Sequence, residues 1–235
     1  MRHVAGEWSE VIEGFLAHIH ESLWINHPAR NTLASHKIEQ LSRAAQHGLA
    51  VPRSLVTNSV HQAEEFILSE KNGVVVKPLA TGFIERADPK RDTVIYTSQF
   101  TDRHLSILGE IECCPVLFQE MIKKVIDVRV TILDGVAAAT GMRAIENDGI
   151  QRLDIRRNNM SDVEYSKVVP PQKVFAGVES LSQSYGLRFA TLDFAITESG
   201  QWFFFEINPN GQWAWLDLCG ATDIAGLFVK QLKRV

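Results

Sequence analysis

The sequence predicts an α+β fold in which antiparallel strand pairs predominate toward the C-terminus. Helical and strand-like segments alternate along the 235 residues, with no internal repeat and no low-complexity tract. Two short turns, Asp134-Gly135 and Glu198-Ser199-Gly200, each join two strand-like segments. Short turns between such segments are typical of antiparallel hairpins, so a largely antiparallel sheet is expected in the second half of the chain.

The composition argues against several functional classes. The net charge is −4 and the pI is about 6.1, whereas general binding of nucleic acid requires a basic surface. No apolar segment approaches the roughly 20 residues that a membrane helix needs, and the N-terminus has no apolar signal segment. The three cysteines form neither a disulfide framework nor a spaced metal motif. We therefore expect a cytoplasmic protein without nucleic-acid or membrane partners.

Two helices are predicted near the N-terminus. Apolar residues recur at helical spacing over residues 7–25, and a second helix is expected over residues 35–48, with Ser35 as its N-cap and Gly48 as its end. Lys37 would lie in the first turn of the second helix, where a cation is unfavourable beside the helix dipole. Lys37 is therefore either solvated, which is the usual case, or in contact with an anion.

The next segments alternate between strand and helix. A strand at residues 53–58 precedes a helix from His61 to about Leu68, and the sequence V-V-V-K-P-L then forms a strand that ends at Lys77. The polar, glycine-containing loop at residues 80–92 suggests a cover for a phosphate group. It fits no Walker or dinucleotide motif, so the signal on its own is weak.

Polar residues also interrupt the strands in the middle of the chain. The strand V-L-F-Q-E-M-I breaks at Glu120, and the following strand places Asp127 and Arg129 on one face. A weak ion pair on an exposed face would explain these last two residues. Residues 146–169 are expected to form a polar loop, in which the basic cluster at Arg156 is either solvated or bound to an acidic group.

The aromatic segment W-F-F-F-E-I-N at residues 202–208 is typical of a core strand, with Glu206 and Asn208 on the same face. A buried carboxylate is costly unless it is paired, hydrogen-bonded or bound to a metal. Taken alone, this segment fits a capped strand and a metal site equally well. Asp193 on the preceding strand supplies a third oxygen ligand, which favours a divalent cation such as Mg²⁺. Helices at residues 173–185 and 223–232 complete the prediction.

Several motifs occur in the order that is typical of the ATP-grasp ligases. They are V-K-P at 76–78, F-Q-E-M-I at 118–122, D-V-R-V at 127–130 and L-D-F followed by F-F-F-E-I-N-P-N-G-Q near the C-terminus. The sequences E-I-N-P-N-G-Q-W-A-W, R-V-T-I-L-D-G and I-Y-T-S further resemble the microviridin-type ligases, also called graspetide maturases, which cross-link ribosomally made peptides. The resemblance covers about residues 24–235.

This resemblance implies an ATP-grasp fold of two α+β lobes with largely antiparallel sheets and the nucleotide between them. We expect residues 1–30 to form an N-terminal helix and lead-in, and residues 31–115 to form the first lobe with the phosphate-covering loop. Residues 116–235 would form the second lobe with the magnesium site. Such ligases usually begin with an additional N-terminal domain, which we expect to be absent here. The exposed face of the first helix is therefore expected to be an oligomer contact, as in a homodimer.

The resemblance also implies how the nucleotide is held. Lys37 and Lys77 match the lysines that hold the phosphates of ATP. Glu120 matches the residue that receives the adenine amino group, with the backbone of Met121 and Ile122 beside the ring. Asp127 lies in the region that usually contacts the ribose.

For the metal and the reacting groups, the resemblance implies a second set of residues. The magnesium ligands match Asp193, Glu206 and Asn208. Arg129 matches the cation near the transferring phosphoryl group. Arg143 and the pair Arg156–Arg157 would hold the acyl phosphate or an acidic peptide.

The activity implied by the resemblance is that of an ADP-forming ligase that uses ATP and Mg²⁺. It would activate Asp or Glu side chains of a precursor peptide as acyl phosphates and join them to Ser, Thr or Lys through ω-ester or ω-amide bonds. One alternative is the addition of a free amino acid to an acidic protein or small-molecule carboxylate, as in the glutamate ligases. A second alternative is an ATP-binding module without turnover.

Overall fold

The structure, a computed structural model, describes residues 2–80, 82–84, 86, 92–146, 148–157 and 160–233. Its strands form two larger antiparallel sheets and one small hairpin. The first sheet has the order β1-β6-β2-β5 and consists of Ser54–Thr57 (β1), Val74–Lys77 (β2), Ser98–Gln99 (β5) and Val116–Glu120 (β6). The hairpin joins Phe83–Ile84 (β3) to Thr93–Val94 (β4).

The second sheet is larger and has the order β11-β10-β7-β8-β9. Its strands are Lys124–Leu133 (β7), Val136–Arg143 (β8), Glu164–Val168 (β9), Phe189–Thr197 (β10) and Trp202–Asn208 (β11). Within the described residues, seven α-helices accompany the two sheets. They are Arg2–Ala17 (α1), Pro28–Leu33 (α2), Lys37–Gln46 (α3), Val60–Ser69 (α4), Gln172–Tyr185 (α5), Ala214–Leu218 (α6) and Ile224–Leu232 (α7).

The two faces of the second sheet have different roles because side chains alternate along a strand. Val128 and Val130 on β7 are fully buried in a core that also contains Val178 and Leu181 of α5. Asp127, on the same strand, belongs to the opposite face together with Arg129. The sheet therefore buries one face in the core and presents polar groups on the other.

A smaller core lies between the first sheet and its own helix. Ala63 of α4 packs there with Val74 and Phe118, all of them almost completely buried. Ser59 is the N-cap of α4, since its side chain accepts a hydrogen bond from the backbone N–H of Gln62. This packing fixes the strand that ends at Lys77.

Both predicted hairpins are confirmed. β7 pairs with β8 through Asp134-Gly135, both with positive φ (47° and 79°), as the tightest hairpin turns require. β10 pairs with β11 across the turn that contains Gly200. The predicted phosphate-covering loop lies partly outside the described residues, at positions 81, 85 and 87–91.

The helix boundaries differ from the prediction near the N-terminus. The helix predicted for residues 7–25 ends at Ala17, and a 3₁₀ turn follows at Glu21–Leu23. A separate helix, α2, begins at Pro28. Proline is favoured at the first position of a helix, because the N–H that it lacks would have no partner within the helix. Ser35 is not the N-cap of α3, since its hydroxyl donates to the carbonyl of Asn31 (2.6 Å) and His36 occupies the cap position.

Other differences concern short elements and the division between lobes. β9 lies within the predicted polar loop, and α6 follows the aromatic strand. β6, residues 116–120, pairs in the first sheet, whereas α3 packs against β11 of the second sheet. The first sheet therefore extends past the predicted boundary at residues 115 and 116, whereas every strand of the second sheet lies after it. In the part of the chain that the structure describes, no helix has the length and apolarity to cross a membrane.

Candidate active site

A cavity of about 380 Å³ lies between the two sheets. The first sheet supplies Lys77 and Glu120, and the polar face of the second sheet supplies strands β7, β10 and β11. The β3–β4 hairpin and a segment around Asp154 complete the wall. Most of the predicted site residues line this cavity, namely Lys37, Lys77, Glu120, Ile122, Asp127, Arg129, Arg156, Asp193, Glu206 and Asn208.

The two lysines contact uncharged groups. The Nζ of Lys37 donates to the carbonyl oxygen of Pro78 (2.7 Å), and the Nζ of Lys77 donates to Oε1 of Gln119 (2.7 Å). The ammonium of Lys77 also lies 4.3 Å from the ring centroid of Phe205. Burial lowers the pKa of Lys77 to about 8 and also lowers the pKa of Lys37, while Glu206 opposes both changes. An anion in the cavity would therefore stabilise both ammonium groups.

The predicted metal ligands lie together at one end of the cavity. Asp193 on β10 is directly opposite Glu206 on β11, and Asn208 follows on the same face. Burial and the nearby Asp193 raise the pKa of Glu206. Among the described residues, none lies within hydrogen-bonding distance of the Glu206 carboxylate as a donor. A half-buried carboxylate to which no described residue donates favours a cation, so this set fits a divalent metal.

The composition of this set is two carboxylates and one amide. The described part of the chain contains no group of three or more His, Cys, Asp or Glu side chains that could hold a metal. Oδ1 of Asn208 accepts a hydrogen bond from the backbone N–H of Asn210 (3.2 Å), which fixes the turn after β11. Oxygen ligands of this kind suit Mg²⁺, which keeps several waters in its coordination shell.

Arg129 forms a two-pronged ion pair with Asp193. Its Nε and Nη2 each donate to one carboxylate oxygen at 2.8 Å, and this pairing raises the pKa of Arg129. Nη1 donates to the carbonyl oxygen of Gln212 (3.3 Å), and the guanidinium carbon lies 5.7 Å from the ring centroid of Trp215. Arg129 is thus held beside Asp193, on the cavity wall to which Glu206 and Asn208 also belong.

Asp127 also has partners on both carboxylate oxygens. Oδ1 accepts from Nζ of Lys124 (2.6 Å), and Oδ2 accepts from Nε2 of Gln151 (2.9 Å). Burial raises the pKa of Asp127, whereas Lys124 lowers it. The predicted contact of Asp127 with a ribose would have to compete with these two hydrogen bonds.

Of the predicted peptide-binding arginines, Arg156 is in the cavity and Arg143 is not. Arg156 donates to both carboxylate oxygens of Asp154, from Nε at 2.9 Å and from Nη2 at 2.6 Å. Arg143 is exposed at the end of β8, in register with Glu164, and does not line the cavity. Nη2 of Arg157 donates to the hydroxyl of Ser98 (2.8 Å) in the first sheet.

Of the predicted adenine-binding residues, Glu120 and Ile122 line the cavity, but Met121 does not. The backbone N–H of Met121 donates to the carbonyl oxygen of Gly73 (2.9 Å). Oε1 of Glu120 accepts from the backbone N–H of Arg53 (3.0 Å), which leaves Oε2 of Glu120 for a further partner. Oε2 of Glu120 can therefore accept a hydrogen bond from an adenine amino group, and this contact stays a prediction.

The cavity wall also contains residues that were not predicted from the sequence, among them Gln119, Lys124, Asp154 and Phe205. Gln119 is 1% exposed on a core strand, and a glutamine in such an apolar run was a usable signal. The i,i+3 spacing of Lys124 and Asp127 falls on a strand, so no helical rule predicts their contact. No pattern in the sequence predicts that Asp154 lines the cavity, because its position there depends on the tertiary fold.

Comparisons with known proteins agree with this arrangement. No protein-family model and no curated protein matches the sequence. Among solved structures, the chain is similar to the macrocyclase MdnC of Microcystis aeruginosa MRC, bound to its precursor peptide MdnA, with 26% identity and a TM-score of 0.77. The similarity covers 92% of this chain and 66% of MdnC.

Two further solved structures have the same fold. One is a RiPP-associated ATP-grasp ligase of Chryseobacterium gregarium in complex with ADP and with a leader and core peptide. It shows 22% identity, a TM-score of 0.76, and coverage of 92% of this chain and 64% of that one. The other is the ATP-grasp ligase PsnB with a minimal precursor, Mg and ADP, with 22% identity, a TM-score of 0.69 and coverage of 88% and 60%.

The chain thus spans about two thirds or less of the length of these proteins. The predicted fold class is confirmed. The chain has the fold of the ATP-grasp ligases, and the solved structures that it resembles include ligases and macrocyclases that are bound to precursor peptides.

Proposed function

We propose that this protein is an ATP- and Mg²⁺-dependent, ADP-forming ligase that forms ω-ester or ω-amide bonds within a precursor peptide. The observation that carries this proposal is the arrangement of charge in the cavity. Two lysines with uncharged partners lie on one side, and the Glu206 carboxylate, to which no described residue donates a hydrogen bond, lies with Asp193 and Asn208 on the other. A magnesium-bound polyphosphate satisfies both sides at once.

In this proposal, Lys37 and Lys77 bind the phosphate oxygens of ATP, and Glu120 accepts from the adenine amino group. Asp193, Glu206 and Asn208 would hold Mg²⁺, which neutralises phosphate charge and orients the phosphates when bound.

Arg129 and Arg156 lie close enough to the cavity to stabilise charge on a transferring phosphoryl group. Where the two sheets cover a bound ligand, they would limit the access of water to a reactive acyl phosphate.

The reaction has two steps. An Asp or Glu carboxylate of the peptide attacks the γ-phosphorus of ATP, which gives an acyl phosphate and releases ADP. A Ser or Thr hydroxyl or a Lys amine then attacks the acyl carbon, loses its proton and expels inorganic phosphate. Each bond therefore consumes one ATP and removes one water from the peptide, while the residues of the cavity mainly provide alignment and charge stabilisation.

Support for a peptide substrate comes from the precursor peptides in the complexes of MdnC and of the Chryseobacterium ligase. Support for the nucleotide and the metal comes from the ADP and Mg in the PsnB complex. A homodimer and a cytoplasmic location remain predictions.

The test is to incubate the purified protein with MgATP and with candidate precursor peptides rich in Thr, Ser, Asp and Glu, sought among short reading frames beside its gene. The proposal expects ADP formation and a mass loss of one water per bond. The control is the same assay with Glu206→Gln, an isosteric change that should abolish both signals. A gain of one amino-acid mass would instead support the glutamate-ligase alternative. Tight binding of MgATP without ADP formation would support the non-catalytic module.

A further inference from the structure

The glutamine at position 40 connects the two halves of the proposed nucleotide site. It lies on α3, one turn after Lys37, and is only 3% exposed. Its Oε1 accepts from the backbone N–H of Ile207 (3.2 Å), and its Nε2 donates to the carbonyl oxygens of Ile207 (2.9 Å) and Ala34 (2.6 Å). All the hydrogen-bonding groups of this buried amide except one lone pair are therefore used.

The position of Ile207 makes these contacts important. Ile207 stands between Glu206 and Asn208, and its own side chain is buried in the core. Its N–H belongs to the peptide group that joins it to Glu206, and its C=O belongs to the peptide group that joins it to Asn208. One side chain thus holds both peptide groups that orient the two proposed metal ligands.

The strand needs this support because β11 is at the edge of its sheet. Its inner edge pairs with β10, whereas no strand of the described residues pairs along its outer edge. Nearer the start of β11, Ala50 forms an isolated β-bridge with the outer edge, and the backbone N–H of Phe204 donates to its carbonyl oxygen (2.8 Å). At Ile207, the Gln40 amide supplies the donor and acceptor that a neighbouring strand would have provided.

We propose that Gln40 is a positioning residue for the metal–nucleotide site, and this inference rests on the proposed function. By tying the first turn of α3 to β11, Gln40 fixes the separation between Lys37, which binds phosphate, and the carboxylate and amide of Glu206 and Asn208. The precise placement of ligands by groups that do not touch the metal typically changes metal affinity by about 10- to 100-fold.

Attachment of α3 to the rest of the protein does not depend on Gln40 alone. Leu41 and Ala44 of α3 are in the main core, and Arg43 donates to the carbonyl oxygen of Ser184 (3.2 Å). The hydroxyl of Tyr185 donates to the Glu39 carboxylate on the same helix. A variant at Tyr185 therefore serves as a control that loosens α3 at a distance from the metal ligands.

The experiment measures the affinity for ADP by calorimetry, once with Mg²⁺ and once with a chelator, for the wild type and for Gln40→Met, Gln40→Glu and Tyr185→Phe. In the wild type we expect Mg²⁺ to tighten ADP binding. In Gln40→Met the gain from Mg²⁺ should fall by at least about tenfold, while binding without metal changes by less than about threefold. Tyr185→Phe should keep the full gain from Mg²⁺ even where thermal unfolding shows a loss of stability.

Gln40→Glu provides a second variant in case the methionine variant does not fold. An ionised glutamate side chain at this position still accepts from the N–H of Ile207 but faces two carbonyl oxygens without a donor, so this variant should also lose the gain from Mg²⁺. An unchanged gain in both variants overturns the inference, as does an equal loss of affinity with and without Mg²⁺. If the wild type itself shows no gain from Mg²⁺, the proposed metal site is refuted rather than the role of Gln40 within it.

Discussion

The two sides of the cavity hold their positive charges in different ways. On the side of the first sheet and α3, Lys37 and Lys77 donate to a backbone carbonyl and to a neutral amide. Neither lysine forms a salt bridge with any residue that the structure describes. On the side of the second sheet, each cation is paired with a carboxylate, as in Arg129–Asp193, Arg156–Asp154 and Lys124–Asp127.

This difference indicates two ways of preparing a site for phosphate. Uncharged partners orient the lysines without neutralising them, so their charge is available to an incoming anion. The carboxylate pairs of the second sheet are already neutralised and hold fixed positions. Arg129 and Arg156 become available to a ligand when their carboxylate partners bind another cation. The first side therefore should dominate nucleotide affinity, and the second should contribute more to stability.

The largest effect is expected from Lys77→Met, which removes a charge that has no anionic partner among the described residues. ADP affinity should fall by at least about 100-fold, since one buried charge-assisted contact of this kind is worth about 2–4 kcal/mol. The matched control is Lys71→Met, which removes an exposed lysine from a turn outside the cavity. Calorimetry with ADP measures both. Similar affinities in the two variants would contradict the role of Lys77.

The next effect concerns the free energy of unfolding. It should be larger for a substitution on the side of the second sheet than for Lys77→Met on the first side, which is the reverse of the order for nucleotide affinity. Asp193→Asn leaves Arg129 without its counter-charge in a site where the two side chains are 19% and 23% exposed. The free energy of unfolding should fall by about 2 kcal/mol, because removing one partner strands the other. Lys77→Met breaks no salt bridge but removes one hydrogen bond to Gln119, so the free energy of unfolding should fall by about 1 kcal/mol or less. Urea denaturation measures the free energy of unfolding of both variants. A larger loss in Lys77→Met than in Asp193→Asn would contradict the prediction.

A smaller effect should appear in the pH dependence of nucleotide binding. Because burial lowers the pKa of Lys77 to about 8, most of this side chain is neutral in the free protein at about pH 9. Bound phosphate favours the ammonium and raises that pKa, so ADP binding without metal should take up protons at about pH 9 and not at about pH 6. Nearby Glu206 raises the pKa of the free lysine, whereas Lys37 and Lys124 lower it.

Calorimetry in two buffers with different ionisation enthalpies measures this proton uptake. Lys77→Met provides the control, since its residual binding should be independent of the buffer at the same pH. Proton release at about pH 9, or uptake that persists in the variant, would show that another group is titrating.

The smallest effect is expected from Arg143→Ala. Arg143 is exposed and outside the cavity, so ADP affinity should change by less than about twofold. If Arg143 contacts an acidic peptide, as the sequence resemblance implies, the change should appear in the KM for the peptide instead. A marked loss of ADP affinity would mean that β8 moves toward the cavity when nucleotide binds.

The sequence predicts those parts of the site that follow from strand geometry. Asp193, Glu206 and Asn208 share a face because side chains alternate, and the turn at Glu198-Ser199-Gly200 sets the pairing of their strands. Lys77 is likewise predictable as the last residue of a β-branched strand. These features depend on neighbours in sequence, so they can be predicted without the tertiary structure.

Contacts between distant segments could not be predicted in this way. The partner of Lys77 is Gln119, 42 residues away, and the partner of Arg129 is Asp193, 64 residues away. Nor could the sequence decide that the apolar stripe of α1 stays exposed, with Trp8 and Phe15 at 63% and 68%. Periodicity identifies an apolar face, but what covers that face is a property of the whole fold.

The covered edge of β11 has a further consequence for how the protein can be handled. The strand contains four consecutive aromatic residues, Trp202 to Phe205, and such an edge is a template for pairing between molecules. Residues 40–50 meet this edge through Gln40 and Ala50. A fragment that starts after Ala50 would lose both contacts and leave this aromatic strand open to pairing with other copies, so we expect it to aggregate.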